Sequence, residues 1–483
     1  MDSHPDVASL QWTVAAWTLV VAAGAMLSAA ADVTKASAPT EPLIAEVYDP
    51  GHPQADCSYH GVHCAGDGRV YFTLSAHSIA VWARVYEFDP KAEKLSLLWS
   101  ADHTTPDEGH VPQSKIHSPL GELGGELYLC THSGHYKTDH RLPGTDTVAK
   151  PYKGGYVCAV DVATGEGRVV AAPLHDRPVT VPMGDERVPL GGEGLITSVL
   201  DATRGYFYAL SWPSAIFVKV DLRSGRCWEY GKLQDGAESV PRSVTGAQPD
   251  TEEANPHYQR CLRTLGLDDE GNVYGSSGDG VIWRYDLAQD KIVVMRARME
   301  DGTEATDLAK LPAYLNMWRT VVWDAREKVF YGVHWASSWL FRFDPEKDEI
   351  EPVMHWAPLN QPVKDFAQLG LRMGPNHVLY GFVHASPLKA NVQRSVHLLT
   401  LDLDSMRFKD HGHVLSPEGM TLMFAESCAV APNGDVYTVG WMEIPEERVA
   451  HVTKLRREGG VPEVKYAFVM ALVRIPAARV SLD

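Results

Sequence analysis

The chain has 483 residues, and its 62 acidic against 44 basic side chains give a formal net charge of −18. This charge argues against general binding to nucleic acid or to an anionic membrane surface, because both need an excess of positive charge. The 45% hydrophobic content, with 13 tryptophans, 19 tyrosines and 40 glycines, excludes extended disorder and is typical of a turn-rich β protein.

The longest apolar run, residues 12–31, ends in small residues that resemble an export cleavage site. We therefore expect residues 1–31 to be a signal peptide, with a single membrane anchor as the alternative. Residues 32–54 form a lead-in with a candidate strand at 43–50. The sequence predicts a secreted or periplasmic monomer with no membrane contact beyond the signal segment.

A repeated unit begins at about residue 55 and continues to about residue 478. In each copy a turn precedes an apolar stretch containing a tyrosine, and a later apolar run ends in an aspartate in six of the seven copies, as in YEFDPKAEK and KVDLRSGR. The spacing between copies, 49 to 80 residues, requires inserted loops in several of them. The tyrosines are Tyr71, Tyr128, Tyr208, Tyr274, Tyr331, Tyr380 and Tyr437.

Each unit has the pattern of four short antiparallel strands joined by Gly, Asn, Asp and Pro turns. A single sheet of this size cannot cover its hydrophobic faces, whereas seven sheets packed radially can. The predicted fold is therefore an all-β, seven-bladed β-propeller over residues 55–478, with the strand at 43–50 completing the last blade. A β-sandwich or two stacked domains are the alternatives.

Seven cysteines without a CxxC pair leave at least one thiol unpaired. Cys57 and Cys64 are candidates for a small disulfide loop. Cys130 and Cys158 fall in predicted strands and are expected to be small core residues.

In a propeller, the starts of the innermost strands and the ends of the second strands emerge on the same face, around the central channel. Aligning the repeats at these two positions gives a ring of polar and aromatic residues, which is what a pocket for a polar ligand needs. Solvated channel residues are the structural alternative. The ring comprises His60, His117, Thr197, Arg263, Arg319, Thr320, Gln368, Glu426, His77, His132, Trp212, Ser277, His334, Trp335, His384 and Trp441.

Blade 2 carries the densest group, in which Lys115 and His117 precede His132, His135 and Tyr136. These residues offer a base and an acid within one blade, although loop histidines bound to backbone groups would give the same pattern. Arg260 and Arg263 could neutralise a carboxylate by bidentate contact, or could be structural. The candidate substrate-binding residues are Lys115, Trp212, Arg319, Trp335, Gln368, Glu426 and Trp441.

His334 and His384 are candidate ligands of a divalent metal, which could be zinc, manganese or calcium, although no local spacing motif supports such a site. No organic cofactor is expected. The sequence also has no phosphate-binding glycine loop, no GxSxG elbow and no HExxH motif.

The segment KIHSPLGELGGELYLCTHSGH, together with export and seven blades, resembles the β-propeller polysaccharide lyases of the oligogalacturonate-lyase and ulvan-lyase types. The resemblance implies that a His or Tyr acts as base and that an Arg, His or divalent metal neutralises a uronate carboxylate. By position, the base would be His117, His132, His135 or Tyr136. The group that neutralises the carboxylate would be Arg260 or Arg263.

The expected function is thus cleavage of a uronate-containing poly- or oligosaccharide by β-elimination. A metal-dependent lactonase-type hydrolase is the second hypothesis, and it would need a carboxylate-rich site. A non-catalytic carbohydrate-binding or scaffold propeller is the third, with the tryptophans as sugar platforms.

Overall fold

The computed structural model describes residues 33–35, 39, 41–135, 139–175, 179–183, 186–232, 263–277, 280–298, 318–334, 338–359, 370–390, 392–425 and 427–480. Within these ranges nearly all regular structure is strand, and one α-helix, α1 (Glu446–Glu458), connects the second and third strands of the last blade. None of the helices in this part of the chain is both long and apolar enough to span a membrane. Residues 1–31, the expected signal peptide, lie outside the described ranges.

Seven sheets, each built on four antiparallel strands and two of them extended by additional short strands, follow one another in a ring, which confirms the predicted seven-bladed propeller. The first three blades run in simple order from the innermost strand outwards. Their strands are β4 (Val62–Cys64), β5 (Val70–Leu74), β6 (Arg84–Asp89) and β7 (Lys94–Ser100) in blade 1; β8 (Gly121–Leu123), β9 (Glu126–Cys130), β10 (Val157–Asp161) and β11 (Gly167–Ala171) in blade 2; and β14 (Gly194–Asp201), β15 (Tyr206–Trp212), β16 (Ile216–Asp221) and β17 (Cys227–Lys232) in blade 3.

Blades 4 and 5 have the same order, and blade 6 gains two short N-terminal strands that pair in parallel with its outer strand. A separate hairpin between blades 2 and 3 consists of β12 (Val179–Met183) and β13 (Glu186–Gly191). The strands are β18 (Gly266–Leu267), β19 (Val273–Ser276), β20 (Val281–Asp286) and β21 (Lys291–Arg298) in blade 4; β22 (Trp318–Asp324), β23 (Val329–His334), β24 (Trp339–Asp344) and β25 (Glu349–His355) in blade 5; and β26 (Gly370–Met373), β27 (Val378–Ala385), β28 (Ser395–Asp402) and β29 (Arg407–Leu415), with β1 (Thr34–Lys35) and β2 (Leu43–Ile44), in blade 6.

Blade 7 combines strands from both ends of the chain. Its inner strand is interrupted, and both of its parts pair with the second strand. The N-terminal strand pairs antiparallel with the C-terminal one, Glu46 opposite Arg474, so the two ends of the chain are joined in one sheet. The strands are β30 (Leu422–Ala425), β31 (Ala429–Val430), β32 (Val436–Glu443), β33 (Phe468–Ile475) and β3 (Glu46–Tyr48).

The repeated aspartates end the third strands, as the sequence pattern indicated. The carboxylate of Asp161, for example, accepts hydrogen bonds from the backbone N–H groups of Ala163 and Thr164, at 2.9 and 2.8 Å. These bonds close the turn to the fourth strand, and they lower the pKa of Asp161. The same turn follows Asp89, Asp221, Asp286, Asp344 and Asp402.

The repeated tyrosines all lie on second strands and are buried, with at most 5% of each residue exposed. Each one packs into the hydrophobic layer between its own blade and the next. Tyr71 lies in the layer between blades 1 and 2, and Tyr437 lies in the layer between blades 7 and 1. The seven main hydrophobic clusters are therefore seven interfaces, and the last one closes the ring.

The cysteine predictions have two different outcomes. Cys130 and Cys158 are fully buried core residues, as expected. The predicted Cys57–Cys64 disulfide is wrong, since the two cysteines are not bonded to each other. Cys57 bridges to Ser75 before the inner strand, whereas Cys64 ends that strand opposite Val70, so the extended strand holds the two residues apart.

Replacing Tyr437 by Ala should lower the free energy of unfolding by about 3–5 kcal/mol, because loss of the aromatic side chain leaves a cavity between blades 7 and 1, where the propeller closes. Tyr437→Phe keeps the ring and should cost about 1 kcal/mol at most. Urea unfolding of the two variants against wild type measures both effects. Equal losses of unfolding free energy in the two variants would show that the tyrosine hydroxyl, and not the packing of the aromatic ring between blades 7 and 1, provides the stability.

Candidate functional site

The antiparallel order of each blade gives the channel two different ends. Inner strands begin, and second strands end, on what we call the upper face. The turns between first and second strands lie on the lower face. Blades 2, 4 and 5 each place a cation near the upper end of the channel, and these cations are Lys115, Arg263 and Arg319, all with 0% of the residue exposed.

These cations surround His117, at the start of the inner strand of blade 2. Arg263, Lys115 and Arg319, and also His60, are close enough for their positive charges to lower the pKa of His117. Lys115 and Arg263 act in the same way on His132. We call this set, Lys115, His117, His132, Arg263 and Arg319 with the adjoining His60 and His77, the channel cluster.

The ring of His117 is held in one orientation. Its Nδ1 lies 3.0 Å from the carbonyl oxygen of Ile196, an acceptor, so Nδ1 carries the proton. Its Nε2 is buried and has no hydrogen-bond partner among the described residues. Tyr59 stacks on the ring at a centroid distance of 4.1 Å. Burial, and then the neighbouring cations, lower the pKa of His117 well below its usual range, so the imidazole is neutral with a lone pair on Nε2.

Lys115 ends a chain of three polar groups. Its Nζ lies 2.5 Å from Nε2 of His77, and Nδ1 of His77 lies 3.1 Å from the carboxylate of Asp56. An ammonium group can only donate, so His77 accepts through Nε2 and donates through Nδ1. Burial opposes ionisation of Asp56, but His77, Arg456 and Lys115 outweigh it and lower the pKa of Asp56 to about 2. The chain therefore runs from a carboxylate through a histidine to a buried ammonium.

His132 forms the wall of the cluster towards blade 3. Its ring meets Trp212 edge to face at 5.5 Å, and a side chain at Gly194 would collide with the imidazole. Trp212 is itself buried, so its faces contact protein. His135 shares a cavity of about 20 Å³ with His132, and its Nε2 lies 3.0 Å from the carbonyl oxygen of Asp139.

The remaining predicted residues lie apart from His117 or outside the described ranges. Trp441 donates through Nε1 to the backbone carbonyl of Asp56 at 2.8 Å and stacks on Phe468 at 4.1 Å. The predicted site residues that lie outside the described ranges are Tyr136, Arg260, Trp335, Gln368 and Glu426.

His334 and His384 end the second strands of blades 5 and 6. Burial lowers the pKa of His334 to about 4, and burial together with Arg394 lowers that of His384. Neither belongs to a group of three candidate metal ligands within the described part of the chain; the groups found there are Asp56, Cys57 and His77, and Asp324, Glu327 and His377. A metal at His334 and His384 stays a prediction.

Sequence reasoning missed Tyr59 and Asp56. Both lie just before His60, which the repeat alignment had placed at the start of an inner strand, so their position was available. Their chemistry was not, because the stacking on His117 and the bond to His77 both join segments that are distant in sequence.

No protein-family model and no curated protein matches the chain. Solved structures that are similar to it include the WD40 β-propeller domain of Doa1, at 10% identity and a TM-score of 0.44, covering 92% of this chain and 100% of that one. They also include the C-terminal WD40 domain of Sif2, at 6% identity, a TM-score of 0.43 and coverages of 90% and 99%. YCF48 bound to D1 peptide is similar at 8% identity, a TM-score of 0.45 and coverages of 91% and 98%. At these values the likeness carries no argument about function.

We expect His117 to remain a neutral imidazole with its proton on Nδ1 through pH 6.5, since its pKa lies well below that usual value. Long-range proton–nitrogen NMR spectra of protein labelled with ¹⁵N-histidine measure the tautomer, and the signal missing from His117→Gln identifies the residue. Titration near pH 6.5, or a proton on Nε2, would contradict the described geometry.

Proposed function

We propose that this protein is a lyase that cleaves a uronate-containing oligosaccharide by β-elimination. The observation that carries the proposal is the buried Nε2 of His117, which has no hydrogen-bond partner among the residues that the structure describes and which lies beside Lys115, Arg263 and Arg319. Removal of a proton α to a carboxylate needs a base next to that proton and positive charge at the carboxylate, where negative charge builds up.

The reaction can be written with these groups. Nε2 of His117 takes the C5 proton of the uronate, and the C–H electron pair becomes the C4–C5 double bond. The C4–O bond breaks, and the leaving oxygen takes a proton. Arg263 and Arg319 hold the carboxylate and stabilise the enediolate-like charge, which a planar guanidinium can do through two parallel hydrogen bonds.

Lys115 is the proposed proton donor to the leaving oxygen. Its ammonium group is fully buried and is held by His77, which in turn is held by Asp56. After the reaction the imidazolium of His117 loses its proton to solvent and the amine of Lys115 regains one from solvent, which returns both groups to their starting states. No step of this scheme is routed through a metal.

The same geometry explains why the pKa of His117 is low before substrate binds. A uronate carboxylate placed between His117 and the arginines adds a negative charge that offsets the cations, so the pKa of His117 rises in the complex. The base then becomes effective when the substrate is in place. Because the cluster is buried, the site favours the end of an oligosaccharide over the interior of a long polymer.

His117→Ala should lower kcat about a hundredfold to ten-thousandfold, the usual loss for a positioned acid or base. Wild type, His117→Ala and the matched control His451→Ala, a histidine exposed on α1, are incubated with pectic, ulvan-like and glucuronan oligosaccharides. The ultraviolet absorbance of the unsaturated product measures elimination.

Full activity in His117→Ala would remove that residue from the mechanism. Reducing ends released without the chromophore would indicate hydrolysis of the glycosidic bond instead of elimination. Sugar binding in calorimetry with no product at all would favour the binding-module alternative.

The pH profiles of kcat and of kcat/KM should differ in their acid limbs. The profile of kcat/KM reports the free enzyme, in which the pKa of His117 is lowered, and that of kcat reports the complex, in which it is raised. The acid limb of kcat should therefore lie at the higher pH. Arg319→Gln removes a cation and should move the limb of kcat/KM to higher pH, whereas the exposed Arg407→Gln should not. Superimposed limbs in wild type would contradict the assigned role of His117.

A further inference from the structure

The lower half of the channel contains a cavity of about 380 Å³, within the usual size of small-molecule sites. It is lined by residues in or next to the inner strands of all seven blades, and exposed Ala202 lies at its lower mouth. Its inner end reaches Thr320 and also His60, which adjoins the channel cluster. Much of its wall is apolar, including Val62, Leu200, Leu265, Val321 and Val430.

Arg372, from blade 6, is the cation of this cavity. Its Nε donates to the backbone carbonyl of Cys428 at 3.0 Å, which fixes the guanidinium against blade 7. Its charge lowers the pKa of His63 and opposes the burial that raises the pKa of Cys64 to about 12, so it lies near both residues of blade 1. Within the described residues no carboxylate forms an ion pair with Arg372, and burial lowers its pKa.

Glu122 restricts which anion can enter. Its Oε2 lies 3.2 Å from Nε2 of His63, whose pKa is lowered mainly by burial, so the histidine is neutral and donates to the carboxylate. The negative charge of Glu122 is then not cancelled by His63. The cavity wall therefore carries one positive and one negative side chain, Arg372 and Glu122, which disfavours a dianion such as phosphate more than a monoanion.

We propose that this cavity is a binding site for a small monocarboxylate with an apolar body, which enters from the lower face. Arg372 binds the carboxylate, and the valine and leucine wall takes the hydrocarbon part. The site does not depend on the proposed lyase activity, because Arg372 approaches the channel from the face opposite to Lys115, Arg263 and Arg319.

Calorimetry with hexanoate, benzoate and phenylacetate tests the site, with hexanamide as the neutral analogue and inorganic phosphate as the dianion. At least one monocarboxylate should bind at a single site, and hexanamide and phosphate should not bind. Arg372→Met should weaken binding roughly tenfold to a hundredfold, the usual range for a hydrogen bond to a charged group. Glu122→Gln should bind monocarboxylates at least as tightly and should admit phosphate, and the exposed Arg407→Gln should match wild type.

A second measurement locates the ligand and needs no variant. Cys64 lines the cavity and is free, so its rate of alkylation by N-ethylmaleimide, read by peptide mass spectrometry, reports occupancy. A ligand at ten times its Kd should slow that rate roughly tenfold. The alkylation test can be carried out even if Arg372→Met fails to fold. A further variant, Arg372→Lys, keeps the positive charge but loses the planar guanidinium, and it should weaken binding.

Three results would each overturn the proposal. The first is that no monocarboxylate of the panel binds, or that hexanamide binds as tightly. The second is that Arg372→Met and Arg372→Lys keep wild-type affinity. The third is that the ligand protects Cys57, near the upper end, instead of Cys64.

Discussion

Each blade has more apolar surface than its own four strands can cover, and the packing of neighbouring blades removes that surface from water. The repeat tyrosine is the clearest part of this packing, because in every blade it points into the layer shared with the next one. Tyr437 makes the same contact across the joint between the last blade and the first. The pairing of Glu46 with Arg474 in one sheet holds the two ends of the chain at that joint.

The closed ring explains how a chain with a strong negative charge can collect cations at its centre. Lys115, Arg263 and Arg319 come from three blades, and each occupies an equivalent or neighbouring place near the start of an inner strand. Burying positive charges together is unfavourable, since each opposes the other and each loses water. Such an arrangement is typical of a site that binds negative charge, and burial together with these cations keeps the imidazole of His117 neutral.

The two ends of the channel differ in chemistry. At the upper end a neutral base, a buried ammonium and two guanidinium groups lie together, which suits proton transfer beside a carboxylate. At the lower end the cavity has an apolar wall, one arginine and one carboxylate, which suits binding without proton transfer. His60 adjoins both regions. The inner strands that separate them are short, so the two sites are neighbours along one axis.

The sequence by itself determined the features that repeat locally. The tyrosine and the turn aspartate recur in nearly every unit, so the fold could be predicted from alignment of the repeats. It could not show that Ile196 fixes the tautomer of His117, that His77 joins Asp56 to Lys115, or that Cys57 and Cys64 stay apart. Arg372 gave no signal either, since it lies inside an ordinary strand pattern. These features depend on distances between segments that only the closed ring brings together, and no local pattern carries those distances.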